Sequence, residues 1–140
     1  MTTQALSGKC LCGACQFTAT PVDNKIGACH CSTCRGWGGG PFMSVGCGKS
    51  VSFNADAPIK VYDSSPWAER GFCQECGSHL FYRLKGDGLY FVLAGSFDDL
   101  GQVVFDHQVF IDQKPDFYSF ANQTHNMTGA EMFAKFAPPA

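Results

Sequence analysis

Short runs of alternating apolar and polar residues, divided by turn-forming residues, follow one another along most of this chain. The runs Gln16–Thr20, Lys25–Cys29, Pro41–Val45, Val51–Phe53, Ile59–Tyr62, Glu69–Cys73, His79–Leu84, Leu89–Ala94 and Val103–Ile111 each predict a strand. A period of two puts every second side chain on one face of an extended segment. Gly86-Asp87-Gly88 predicts a hairpin turn, and Ser96–Asp99 a second reversal. Helical spacing is scarce before residue 127. Ser32–Gly36 predicts one helical turn, and Gly38-Gly39-Gly40-Pro41 argues against helix while letting backbone approach another group closely. In Thr128–Phe136, Met132, Phe133 and Phe136 stand at helical spacing behind a capping box formed by Thr128 and Glu131. The expected fold class is all-β, with small twisted antiparallel sheets and a short C-terminal helix.

Composition narrows this picture. A chain of 140 residues is the size of one domain, so a single domain over residues 1–140 is expected. Aromatic residues make up 14%, mostly Phe, which is ample material for one core. The net charge of −2 offers no basic surface to nucleic acid. Met1–Ser7 has neither the basic region nor the apolar run of a secretory signal. The apolar stretch Leu89–Phe97 falls far short of the ~20 residues that cross a bilayer. A soluble, cytoplasmic protein without membrane or nucleic-acid partners is therefore expected; its oligomeric state is not readable.

The nine cysteines then change the question from fold to chemistry. Eight lie in three compact groups: Cys10-Leu11-Cys12-Gly13-Ala14-Cys15, Cys29-His30-Cys31-Ser32-Thr33-Cys34 and Cys73-Gln74-Glu75-Cys76. In a reducing compartment such spacing is a metal-ligand pattern rather than a disulfide framework, and an odd count forbids complete pairing. Zinc takes sulfur ligands at about 2.3 Å in a tetrahedron. In C-x-C, both side chains of an extended strand share a face. In C-x-x-C a tight turn brings two thiols together, with Gly77 relieving the bend. Two arrangements use these groups. One is a pair of closed four-thiolate sites, each sharing one thiol of Cys73 and Cys76. The other joins Cys73 and Cys76 to one C-x-C pair, and leaves the second triplet with an open position of the kind catalytic zinc keeps. Spacing alone does not say which triplet is open.

The runs Gly8–Gly13, Cys29–Arg35, Pro41-Phe42 and Gly71–Phe81, in that order and at those intervals, resemble the glutathione-dependent formaldehyde-activating enzyme family. His107–Tyr118 is similar to that family's closing strand. The resemblance implies a zinc protein of the β-tent fold with two zinc ions per chain. It assigns Cys10, Cys12, Cys73 and Cys76 to a structural zinc, and Cys29, Cys31 and Cys34 to a catalytic one. It further implies carbon–sulfur lyase chemistry on a thiol–aldehyde adduct, S-(hydroxymethyl)glutathione being the named case, with a small glutathione-like thiol as partner. This chain is shorter than family members with that activity. Cys15 and Cys47 fall outside the ligand set; Cys15 can compete for either metal, and Cys47 reads as a small buried apolar residue.

Other residues read two ways. Arg35 is a clamp for a substrate carboxylate or a charge balance for the thiolates. His30, between two ligands, should face away from the metal and pack. His79 and His107 read as structural strand residues, and His125 as exposed. Trp37 walls a pocket or packs in the core, while Glu69, Glu75 and Tyr82 are acid–base groups that nothing in the sequence separates. Two other functions compete with the lyase: a non-catalytic zinc module binding a small thiol or a protein partner, and an iron–sulfur redox protein, which colour would reveal.

Overall fold

The computed structural model describes residues 4–136; residues 1–3, part of the segment read as lacking a secretory signal, and residues 137–140 lie outside that description, as does the side chain of Phe136. The strands are β1 (Leu6–Lys9), β2 (Gln16–Ala19), β3 (Lys25–Cys29), β4 (Phe42–Gly48), β5 (Val51–Phe53), β6 (Ile59–Ser65), β7 (Ala68–Cys73), β8 (His79–Leu84), β9 (Tyr90–Leu93), β10 (Val104–Val109) and β11 (His125–Met127). Helix α1 spans Ser32–Gly38 and α2 spans Gly129–Phe136. The class is all-β, as the alternation predicts, and each of the nine expected strands is present.

Among the described residues the strands form a three-stranded sheet, β1-β2-β5, and an eight-stranded sheet in the order β11-β10-β3-β4-β9-β8-β7-β6. Pairing is antiparallel except at one edge, where β10 runs parallel to both β3 and β11. That edge departs from the antiparallel expectation because β10 returns from a distant part of the chain to a strand some 80 positions earlier. Alternation carries no information about such a partner. Strands β1 and β11 were not expected. The alternation of β1 is broken by Gly8 and Lys9, and β11 is three residues, of which only Met127 is apolar.

Helix α1 runs to Gly38, further than the expected single turn to Gly36. It stops at Gly39, whose φ of 84° is natural to glycine and whose N–H reaches the Arg35 carbonyl at 2.7 Å. The capping box at α2 forms in both directions. The Thr128 N–H donates to Glu131 Oε1 at 2.8 Å, and the Glu131 N–H donates to Thr128 Oγ1 at 3.1 Å. The predicted turn after β8 forms with Gly88 at φ 71°. The second reversal begins earlier than expected, at a 3-10 turn over Ala94–Ser96.

A chain of aromatic contacts joins the two sheets. Phe17 of β2 meets Phe97 edge-on at 5.2 Å and Phe53 of β5 at 5.6 Å. Phe53 in turn meets Phe81 of β8 at 5.8 Å, and Phe81 meets Tyr90 of β9 at 4.9 Å. Leu80, Val45, Val92 and Cys47 fill the space beside them. Each large side chain buried this way contributes about 1.5–3 kcal/mol. Cys47 behaves as the small apolar residue expected, with its thiol pushed up to about 12 by burial.

Gly8 sits at the join, bridged to Phe97. A methyl group on its Cα would lie 2.5 Å from the Ser96 carbonyl oxygen and closer still to the Phe17 ring. Gly8→Ala is therefore expected to destabilise the fold by about 1–3 kcal/mol, read from the midpoint of urea denaturation. An unchanged midpoint would show that the two sheets are not tightly apposed there.

Candidate metal centres

Two turns converge on the first cluster. Cys10 follows β1, with Cys12 in the turn that leads to β2; Cys73 ends β7, with Cys76 in the turn that leads to β8. The C-x-C pair thus lies in a turn rather than on an extended strand, as the expectation had it. Each turn closes on a glycine in the left-handed region, Gly13 at φ 81° and Gly77 at φ 78°. The two turns are built alike. Cys10 N–H donates to the Cys15 carbonyl and Gly13 N–H to the Cys10 carbonyl; Cys73 N–H donates to the Ser78 carbonyl and Gly77 N–H to the Cys73 carbonyl, all at 2.9–3.1 Å.

The sulfurs of Cys10, Cys12, Cys73 and Cys76 all lie within 4.8 Å of one another. Cys10 and Cys12 are 3.6 Å apart, and Cys12 and Cys73 3.8 Å. A tetrahedron of sulfurs about 2.3 Å from its centre has edges of about 3.8 Å, so these separations fit a four-thiolate zinc site. Backbone donors also point at the sulfurs, as thiolates require: Cys15 N–H to Cys10 Sγ at 3.2 Å and Glu75 N–H to Cys73 Sγ at 3.3 Å. Ser78 Oγ lies 3.2 Å from Cys76 Sγ and accepts from the Leu11 N–H at 2.9 Å, stitching one turn to the other. Cys15 is fully buried beside this cluster but outside it. Burial, with Cys73 next to it, pushes its thiol up to about 12, but it is its position outside the four gathered sulfurs that leaves it out of the ligand group.

The second cluster is built at the junction of β3 and α1. Cys29 ends the strand, Cys31 caps the helix, and Cys34 sits one turn inside it. Their sulfurs also lie within 4.8 Å of one another, and no His, Cys, Asp or Glu donor among the described residues completes the group to four. Cys31 Sγ accepts the Cys34 N–H at 3.3 Å in the manner of a helix cap. Contacts from the Cys29 and Cys34 thiols, that N–H and the Arg70 charge hold the Cys31 thiol well below its ordinary range against the opposing effect of burial. Among the described residues the cysteines are free of disulfides, so both groups can hold metal ions.

His30 turns away from its neighbouring sulfurs, as expected. It is fully buried, with Nδ1 2.8 Å from Tyr118 Oη and Nε2 2.7 Å from Gln108 Oε1. Gln108 Nε2 donates onward to Thr124 Oγ1 at 2.9 Å, and Ser32 N–H donates to Gln113 Oε1 at 2.9 Å. The segment that carries Cys29–Cys34 is thereby pinned to β10 and the loop after it. His107 packs against Gly27 and Asp106 on the same strand pair, and His125 is exposed. Of the acid–base groups, Glu69 is ion-paired with Arg83 and Glu75 is exposed in its turn. The Tyr82 hydroxyl, pushed up to about 12 mainly by burial, has Arg70, Cys34 and Cys29 in its electrostatic surroundings.

Arg35 is not the cation on the thiols; its Nε donates to the His30 carbonyl at 2.9 Å. That position belongs to Arg70, which sequence reasoning passed over. Its two terminal nitrogens lie 3.6 and 3.5 Å from Cys34 Sγ. Its Cζ sits 5.2, 5.9 and 5.0 Å from the ring centroids of Trp37, Phe42 and Tyr82. Trp37, half-buried, also stacks on His79 at 3.8 Å, and burial followed by the Arg70 charge lowers the His79 pKa. The sequence carried no clear signal for Arg70, because the alternation of β7 is broken: Ala68, Arg70, Gly71 and Cys73 are all buried, and the register shifts between Gly71 and Phe72.

A sequence model of the glutathione-dependent formaldehyde-activating enzyme family matches residues 5–113. The chain belongs to this family. It is 40% identical over 126 residues to an uncharacterized lyase of Schizosaccharomyces pombe, covering 89% of this chain and 92% of that one. It is 36% identical over 102 residues to a putative glutathione-dependent formaldehyde-activating enzyme of Aspergillus flavus, covering 66% of this chain and 53% of the relative. The alignment thus takes in about half of that longer family member, in keeping with the short length noted from the sequence. A crystal structure of a Rhodobacter sphaeroides protein shares the fold, with a TM-score of 0.59 at 22% identity over 70% of this chain and 97% of the other. No helix among the described residues is long and apolar enough to cross a membrane.

Proposed function

We propose that this chain is a zinc-dependent carbon–sulfur lyase acting on a thiol–aldehyde adduct such as S-(hydroxymethyl)glutathione. Cys10, Cys12, Cys73 and Cys76 would hold a structural zinc, and Cys29, Cys31 and Cys34 a catalytic one. The observation that carries this reading is the asymmetry of the two clusters. Four thiols complete a tetrahedron at one, whereas three thiols stand at the other with no fourth donor of metal-ligating type among the described residues. An ion bound there has room for a substrate sulfur, and family membership together with the lyase-named relative supplies the reaction class.

A zinc held by Cys29, Cys31 and Cys34 would supply Lewis acidity that favours the thiolate form of a substrate thiol, whose ordinary pKa is about 8.5. In the synthetic direction the thiol loses its proton, its sulfur bonds to the aldehyde carbon, and the carbonyl oxygen takes up a proton. In the lyase direction the adduct hydroxyl gives up its proton, the C–S bond breaks to leave the aldehyde, and the sulfur regains a proton. The chain's own residues prepare this site. Cys31 is held in place as the cap of α1, and Tyr82 offers a hydroxyl that stays protonated.

Thiols add to formaldehyde unaided, so the test compares rates. Exchange between glutathione, formaldehyde and the adduct, followed by NMR, is expected to quicken in proportion to the zinc-loaded protein. A panel of other thiols and aldehydes then ranks substrates. No acceleration over the uncatalysed exchange anywhere in that panel would sink the lyase reading. Metal analysis should give two zinc ions per chain; one tightly held ion would point to a binding module instead.

A further inference from the structure

We propose that Arg70 is the counter-charge and positioning residue of the three-thiol centre, holding the Cys29–Cys31–Cys34 cluster in its anionic, metal-retaining state. The inference rests on the reading of those cysteines as metal ligands. Its starting point is the cost of burying a guanidinium. Arg70 is 3% exposed, and its Nε is a buried donor with no partner. A guanidinium stays charged at any pH a protein survives and carries five donors, so it must meet an opposite charge or destabilise the fold.

No carboxylate among the described residues meets it. The ion pairs there join Lys9 to Asp98, Arg83 to Glu69, Lys85 to Asp63 and His107 to Asp106, and Arg70 is in none of them. Its cross-strand neighbours are Tyr62 on β6 and Tyr82 on β8, neither of them acidic. The rings of Trp37, Phe42 and Tyr82 favour a cation, but such contacts do not replace an opposite charge. The group left to balance the charge is the sulfur that both terminal nitrogens approach, Cys34 Sγ. A neutral thiol is a poor acceptor for a charged fork, whereas the thiolate that Cys34 would become on binding a metal is a good one. The pairing works in both directions: the cluster makes the buried arginine tolerable, and the arginine makes a gathering of thiolates tolerable. Three thiolates and a divalent ion carry −1 in sum, which Arg70 neutralises. Trp37 of α1, Phe42 of β4 and Tyr82 of β8 fix the guanidinium from three elements, so the charge is delivered at a set place.

The test uses the full chain loaded with zinc, then with cobalt, whose thiolate absorption bands report each site. Arg70→Met removes the charge at similar length, and Arg70→Lys keeps the charge while losing the fork. Chelator competition on Arg70→Met should show one of the two ions held about 10–100-fold more weakly, the usual effect of losing a group that supports metal ligands. The other ion should stay bound as in the unaltered chain, which also reports that the fold is intact. Arg70→Lys should recover most of the lost affinity, with a shifted cobalt spectrum at that site alone. Two ions held with unaltered affinity in Arg70→Met would overturn the proposal. So would loss of both ions together, which would make Arg70 a support of the fold, and so would Arg70→Lys behaving like Arg70→Met. An unaltered chain that binds one ion only is a different outcome: it removes the second metal site itself.

Discussion

Cys73→Ser should abolish metal binding at the four-thiol cluster and leave the protein largely unfolded at room temperature. Cys73 is fully buried, ends β7, and brings its sulfur to the C-x-C turn that joins β1 and β2. A metal held by the four thiols would therefore tie the three-stranded sheet to the eight-stranded one. Metal binding at structural sulfur sites contributes about 10–16 kcal/mol to folding in small zinc domains. If one ligand accounts for a third of that, its loss removes about 3–5 kcal/mol, against a total stability of about 5–15 kcal/mol for a whole domain. Circular dichroism and metal analysis should show both changes together, and an excess of a strong chelator should reproduce them in the unaltered chain. Cys15→Ala is the matched control, because it deletes a buried thiol a few residues away that lies outside the cluster. It should keep both metals and cost no more than an ordinary small core substitution. A Cys73→Ser protein that keeps its zinc and its denaturation midpoint would show that the cluster is not what joins the sheets.

Much of this arrangement was legible before any coordinates. Alternation marks strands because a half-buried strand must alternate, and the nine runs it marked are strands. Cysteine spacing marked the thiols that the fold gathers because a tight turn is the cheapest way to bring two thiols together, and Cys73–Gly77 is such a turn. What escaped has a common cause. The parallel placement of β10 against β3, the three polar-rich residues of β11, and the pairing of β1 with β2 all depend on partners or on packing that local pattern does not record. The same holds for the geometry of Cys10 and Cys12, where a turn does what a strand was expected to do. Arg70 is the clearest case. In the run Glu69-Arg70-Gly71 two charges in succession look like a solvated face, yet β7 points one charge to Arg83 and the other into the core. Nothing in the sequence says that the inward one finds sulfur, because Cys34 lies 36 positions away.

Cys31→Ser should separate fold from activity. Serine is a good helix cap, and its hydroxyl can accept the Cys34 N–H that Cys31 Sγ accepts at 3.3 Å, so α1 should start where it does now. His30 keeps its bonds to Tyr118 and Gln108, which pin the same segment to β10. The cap substitution itself should cost no more than about 1 kcal/mol, so the protein should stay folded. The site itself loses one of the three sulfurs that would carry negative charge to a bound metal. A hydroxyl offers none of that charge at neutral pH. One zinc of two should be lost, and adduct exchange should fall at least about 100-fold, equivalent to about 2.7 kcal/mol of transition-state stabilisation. Paired with Cys73→Ser the result is a double dissociation: one serine removes the fold with the metal, the other removes the chemistry and spares the fold. Full exchange activity in a folded Cys31→Ser protein with one zinc would mean that the reaction does not use the three-thiol centre, and the asymmetry between the clusters would then have to serve binding instead.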